Sequence, residues 1–121
     1  MQLTPTTGAV VTLRDAPGKH LGRVIQSAND TPTVKVSWPQ ARSQQWHSIE
    51  DLDGALQPGN HTIHAPDGLT QTSLGLGVVI SQREVAGYRQ YLVDFQEVDT
   101  RRWIPWQHLR LVPDVPESLA I

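Results

Sequence analysis

Val34-Lys35-Val36-Ser37-Trp38 alternates apolar and polar residues one for one, and Tyr91-Leu92-Val93-Asp94-Phe95 repeats the run of side-chain sizes 57 residues later. A period of two puts 34, 36 and 38 on one face of a strand, and likewise 91, 93 and 95. Each stretch reads as a strand with one side buried. Upstream, Gly22-Arg23-Val24-Ile25-Gln26 matches Gly77-Val78-Val79-Ile80-Ser81, here 55 residues apart. Downstream, Gln45-Trp46-His47-Ser48-Ile49-Glu50-Asp51-Leu52 matches Arg102-Trp103-Ile104-Pro105-Trp106-Gln107-His108-Leu109, again 57 apart. The change in spacing is that of a hairpin two residues longer in the second copy. Gly8…Asp15-Ala16-Pro17-Gly18 can be set against Gly59…Ala65-Pro66-Asp67-Gly68, with a longer loop in the second copy. An internal repeat of this kind governs the reading of the whole fold.

Val10-Val11-Thr12-Leu13, Arg23-Val24-Ile25 and Val78-Val79-Ile80 are β-branched runs of strand length. Turn formers separate them: Ala16-Pro17-Gly18, Ser27-Ala28-Asn29-Asp30, Gln57-Pro58-Gly59-Asn60, Ala65-Pro66-Asp67-Gly68 and Ala86-Gly87. No segment keeps helical spacing for long, but single helical turns are expected over 48–52 and 105–109. Ser48 suits a cap there, and Pro105 a first helical position. Each copy is then about five short strands with a helical turn before the last. A unit this small closes a curved barrel more readily than it builds a sandwich, and closure removes exposed edges. The expected fold is all-β, two tandem five-stranded barrels of the SH3-like or Tudor-like kind. The first covers residues 1–57 and the second 58–113, with 114–121 a linker or tail. Pro113-Asp114-Val115-Pro116-Glu117-Ser118 has linker composition, which suggests a larger parent protein. Divided between two barrels, the 38% of hydrophobic residues make two sparse cores, to which the four tryptophans are expected to contribute.

Composition narrows the functional classes. The 121 residues include no cysteine, which excludes a disulfide scaffold, a thiolate metal site and a cysteine nucleophile. That fits a reducing cytoplasm, the expected location. No apolar run reaches the ~18 residues of a membrane span, so no membrane partner is expected, and the N-terminus lacks a basic-then-apolar signal pattern. The formal charge of −2 argues against a protein devoted to blanketing phosphates. His61 and His64, three apart in an extended segment, point to opposite faces and lack a third ligand nearby, so no metal is expected. His20, His47 and His108 stand isolated in sequence, and no serine lies in a nucleophile elbow. The acidic cluster Glu50-Asp51 with Asp53 reads as a solvated or docking surface. Neither an enzyme nor a cofactor is expected.

Leu74-Gly75-Leu76-Gly77-Val78-Val79, an alternating strand ending in an aromatic, and then Arg101-Arg102-Trp103…Leu109-Arg110-Leu111-Val112 form a recognisable series. It resembles the N-terminal region of bacterial Swi/Snf-type ATPases of the RNA-polymerase-associated kind, which carries two Tudor-like barrels. Gln57-Pro58-Gly59-Asn60-His61-Thr62-Ile63…Asp67-Gly68 is similar to the segment entering their second barrel. In that family the glycine-leucine pattern opens the first barrel, whereas here its fuller form lies in the second. The resemblance implies an accessory module. No Gly-x-x-x-x-Gly-Lys-Ser/Thr phosphate loop is present. The implied role is to dock or regulate a nucleic-acid-dependent ATPase or helicase through protein contacts, with the motor itself or with RNA polymerase.

The alternative is direct DNA or RNA binding by the second copy. Residues 61–121 contain five cations, all arginine: Arg83, Arg89, Arg101, Arg102 and Arg110. Together with Trp103 and Trp106 they are the candidate partner- or nucleic-acid-binding residues, able to contact phosphate and stack a base. Seven acids in the same half argue against a diffuse positive field as their purpose; arginine alone suits bidentate contacts with carboxylate or phosphate. The same alternation of charge is that of an ordinary solvated strand face. Trp38 and Phe95 belong by their spacing to the core, and an aromatic cage for a methylated side chain would need more converging rings than each copy provides.

Overall fold

A computed structural model describes residues 3–66 and 72–112. The first sheet contains β1 (Val10–Leu13), β2 (Gly22–Ser27), β3 (Thr33–Trp38), β4 (Ser43–Ser48) and β5 (Leu52–Gly54). The second contains β6 (His61–His64), β7 (Gly75–Val85), β8 (Tyr88–Phe95), β9 (Thr100–Pro105) and β10 (Leu109–Leu111). All pairings are antiparallel, in the orders β4-β3-β2-β1-β5 and β10-β6-β7-β8-β9. The fold is all-β, with 3₁₀ turns at Ile49–Asp51 and Trp106–His108 where helical turns were expected. Two further 3₁₀ turns, Pro39–Ala41 and Gln96–Val98, join β3 to β4 and β8 to β9. The backbone ladders do not close: β4 and β5 are the edges of one sheet, β9 and β10 of the other. The three residues of β5 pair with β1 alone. The tail expected over 114–121, and Asp67-Gly68 of the fourth turn, lie outside the described residues.

The two sheets repeat one another at the level of single hydrogen bonds. The Gly8 amide donates to the Val24 carbonyl at 2.7 Å, and Gly59 donates to Val79 at 2.8 Å. Val24 donates back to Ala9 at 3.0 Å, and Val79 to Asn60 at 2.9 Å. A bulge interrupts β2 at Ile25 and β7 at Ile80, and both side chains are 37% exposed. Val36 and Val93, Trp38 and Phe95, and Leu52 and Leu109 are all buried at matching register positions. The change in repeat spacing also has a structural form. The β2–β3 ladder ends at Ser27 and Val34, whereas β7–β8 runs on to Val85 and Tyr88. The longer hairpin closes through Ala86 and Gly87 at φ 52° and 83°, the left-handed pair that a two-residue turn between twisted strands requires.

The core differs from the expectation of two separate ones. Buried residues of both sheets form one continuous apolar cluster, from Val11, Val24 and Trp38 to Val79, Tyr91 and Trp106. The sheets meet where β5 and the segment after it face β8 and the turn at Trp106. Gly54 admits the Trp106 side chain so closely that a methyl there would lie 2.5 Å from its Cβ. Trp46, expected to help fill a core, is instead 49% exposed.

Candidate functional site

Strand alternation decides where the predicted residues point. On β8, Tyr91, Val93 and Phe95 face the core, so Gln90, Leu92 and Asp94 face outward. On β9, Trp103 pairs with Leu92 and Arg101 with Asp94, which puts both on the outer face. Arg102 pairs with Val93 and leaves β9 on the other side. The Arg101-Arg102-Trp103 triplet is therefore split between two surfaces, as any three consecutive strand residues are.

The arginines around it have partners within the chain. The Arg83 guanidinium lies 4.1 Å from the centre of the Trp103 ring, and its Nε donates to Gln90 Oε1 at 2.8 Å. Arg101 Nε is 3.9 Å from Asp94 Oδ1. Arg89 is turned toward the first sheet: Nε and Nη2 both lie 3.0 Å from Asp53 Oδ2, and Nη1 donates to Gln82 at 2.8 Å. Trp106, 2% exposed, belongs to the core and packs against Gly54 of the first sheet. Arg110 is exposed on β10, with its aliphatic stem over Gly8. Of the seven candidates the structure groups Arg83, Trp103 and Arg101 on one face; Arg102 leaves the other side of β9 but lines a cleft together with Trp103, and Arg89, Trp106 and Arg110 lie elsewhere.

Arg102 instead borders an open cleft of about 670 Å³ with His64, Leu74, Trp103, Pro105 and His108. His64 is buried; its Nδ1 accepts the Leu74 amide hydrogen at 2.9 Å, and its carbonyl accepts from the Ser73 hydroxyl. Burial, then the nearby His108 and Arg102, hold its pKa below the usual histidine value, so the ring is neutral near pH 7. His61, three residues away, is only partly buried on the opposite face of β6. Among the described residues no three histidine or carboxylate side chains gather in a way that could hold a metal ion. Nor is any helix among them long and apolar enough to cross a membrane.

Sequence reasoning did not single out the outer face of the first sheet. Trp46 pairs with Lys35 across β4 and β3, and Arg23 pairs with Ser37 across β2 and β3. All four side chains point away from the core, because Val24, Val36 and Trp38 occupy the inner face. The signal was present: β2, β3 and β4 contain no Asp or Glu at all. No protein-family model matches the chain, and no curated protein is significantly similar to it.

Proposed function

We propose that the chain is a non-catalytic binding module of two SH3-like, Tudor-like units. In this reading it docks or regulates a nucleic-acid-dependent Swi/Snf-type ATPase through protein contacts, with the motor or with RNA polymerase, in the cytoplasm. The observation that carries it is the strand order β4-β3-β2-β1-β5 with a 3₁₀ turn before the last strand, repeated in the second half. That order is the one an SH3-like barrel uses, and with the sequence resemblance it favours an accessory module over an enzyme. The pairing of Arg83, Arg89 and Arg101 inside the chain favours a protein partner for the second sheet over direct capture of DNA or RNA there. For Trp103 to stack a base on the face that Arg83 covers, Arg83 must first leave.

The test is calorimetric titration of the chain into the catalytic core of a Swi/Snf-type ATPase and, separately, into core RNA polymerase. Binding to either, accompanied by a changed DNA-stimulated ATPase rate in the first case, supports the reading. No heat with either partner at roughly 100 μM, the weak end of useful docking, overturns it.

A further inference from the structure

Trp46 and Trp103 stand at the same position of the two sheets, yet their environments differ in one respect. Over Trp103 lies Arg83, from the extended part of the β7–β8 hairpin. The position corresponding to Arg83 in the first sheet is Ala28, which lies just beyond the last β2–β3 pair and donates its amide to Thr33 at 3.1 Å. Ala28 carries only a methyl group, and among the described residues no Arg or Lys lies over the Trp46 ring as Arg83 lies over Trp103. Its cross-strand neighbour is Lys35, where the second sheet has Leu92. Two rows of side chains therefore cross this face: Gln26, Lys35 and Trp46, and then Arg23, Ser37 and Gln44. The rows are about 7 Å apart, two residues along a strand. The acids of the first half, Asp15, Asp30, Glu50, Asp51 and Asp53, all lie outside β2, β3 and β4.

We infer that this face binds single-stranded nucleic acid, with a base stacked on Trp46 and phosphates held by Lys35 and Arg23. An exposed indole flanked by cations and amides, on a strand surface free of carboxylates, offers what a sequence-tolerant single-strand site needs: a π-face and fixed positive charge beside it. A guanidinium from a protein partner would meet Lys35 as a like charge, whereas a phosphate would meet it as an opposite one. A duplex keeps its bases stacked on one another and offers Trp46 no free face. The surface is separate from the protein-docking role proposed above, and neither depends on the other.

The experiment is fluorescence anisotropy of a labelled 20-mer of thymidylate titrated with the full chain. Binding is expected with a Kd of roughly 10–100 μM at low salt. Two phosphate contacts weaken a single-strand complex about sevenfold between 50 and 200 mM NaCl. Trp46→Ala should weaken it about tenfold, and Arg23→Glu with Lys35→Glu should remove it, while Val98→Ser, in the β8–β9 turn of the second sheet, leaves it unchanged. A 20-base-pair duplex should bind at least tenfold more weakly. Circular dichroism of each variant confirms folding, which a half-exposed Trp46 makes safe. The inference is overturned by no binding at 50 mM NaCl, by equal affinity for the duplex, or by wild-type affinity in Trp46→Ala. It is equally overturned if Arg101→Glu with Arg102→Glu abolishes binding while the first-sheet variants do not.

Discussion

The Tyr91 hydroxyl of the second sheet accepts the amide hydrogen of Leu56, the residue that leaves the first sheet, at 3.0 Å in a buried setting. Both residues are almost wholly shielded, at 1% and 2% exposure. The bond thus joins the two sheets at the point where their cores merge. Replacing Tyr91 by Phe keeps the ring and strands the Leu56 amide. An unsatisfied buried donor costs about 1–3 kcal/mol. Urea denaturation of Tyr91→Phe should show a loss in that range with one transition, because the sheets share a core. Two separated transitions would show that the bond is what couples them.

The same hydroxyl makes alkaline stability a sensitive probe. Burial is the main cause that pushes the Tyr91 pKa up to about 12; Leu56 and Arg89 act against it, and Asp53 with it. The unfolded chain ionises this tyrosine near pH 10, while the folded chain keeps it neutral. The contribution is therefore intact below pH 10 and is lost as pH rises from 10 to 12. At 1.36 kcal/mol per pH unit the loss is about 2–3 kcal/mol. Urea midpoints at pH 9 and 11.5 should fall further for the wild type than for Tyr91→Phe.

Gly22 and Gly77 provide a test of the repeat itself. A Cβ on Gly22 would lie 2.5 Å from Val36 Cγ1 and 2.8 Å from Trp38 Cε3. One on Gly77 would lie 2.5 Å from Val93 Cγ1 and 2.8 Å from Phe95 Cδ1. Overpacking a buried strand face in this way costs typically 1–3 kcal/mol. Gly22→Ala and Gly77→Ala should therefore destabilise by similar amounts, within about 1 kcal/mol of each other by thermal or urea unfolding. A large loss from one and none from the other would mean that the two cores are packed by different rules.

These glycines also show how far the sequence could be read. Strand positions, the repeat and both 3₁₀ turns before the last strands were legible, because period-two burial and turn chemistry are local. What joins the copies was not. Gly54 beside Trp106, and Tyr91 beside Leu56, are contacts between residues 35 or more apart, and no spacing rule relates them. How the candidate residues group on the surface was hidden for a related reason. Arg101, Arg102 and Trp103 are adjacent in sequence, but adjacency on a strand means opposite faces. The Arg23, Lys35 and Trp46 grouping is built from three different strands, so it becomes visible only when the register is known.

Asp53 and Arg89 form the ionic counterpart of the Tyr91 bond, with side-chain exposures of 15% and 25%. Asp53 also accepts the Gly54 amide at 2.8 Å, so the carboxylate is held in place before the arginine reaches it. A partly buried pair fixed by such supporting bonds contributes more than a free surface pair, which is worth ~0–1 kcal/mol. A double-mutant cycle with Asp53→Ala and Arg89→Ala should give a coupling of about 1–2 kcal/mol. A coupling near zero would mean that apolar contacts alone align the sheets.

His64 predicts the acid side of the stability profile. Burial, His108 and Arg102 lower its pKa, so the folded chain holds the ring neutral. The unfolded chain takes up a proton near pH 6.5. The contribution is full above pH 6.5 and is lost as pH falls through the depressed folded value, because protons then favour the unfolded state. In His64→Asn the amide oxygen can take over the acceptor role toward the Leu74 amide, while the titrating group is gone. The drop in unfolding free energy between pH 7.5 and 5.0 should be smaller in this variant than in the wild type. The His64 ring protons should titrate by NMR with a midpoint below 6.5. Equal drops, together with an ordinary midpoint, would show that solvent reaches the ring through the cleft and that Arg102 is too well screened to act on it.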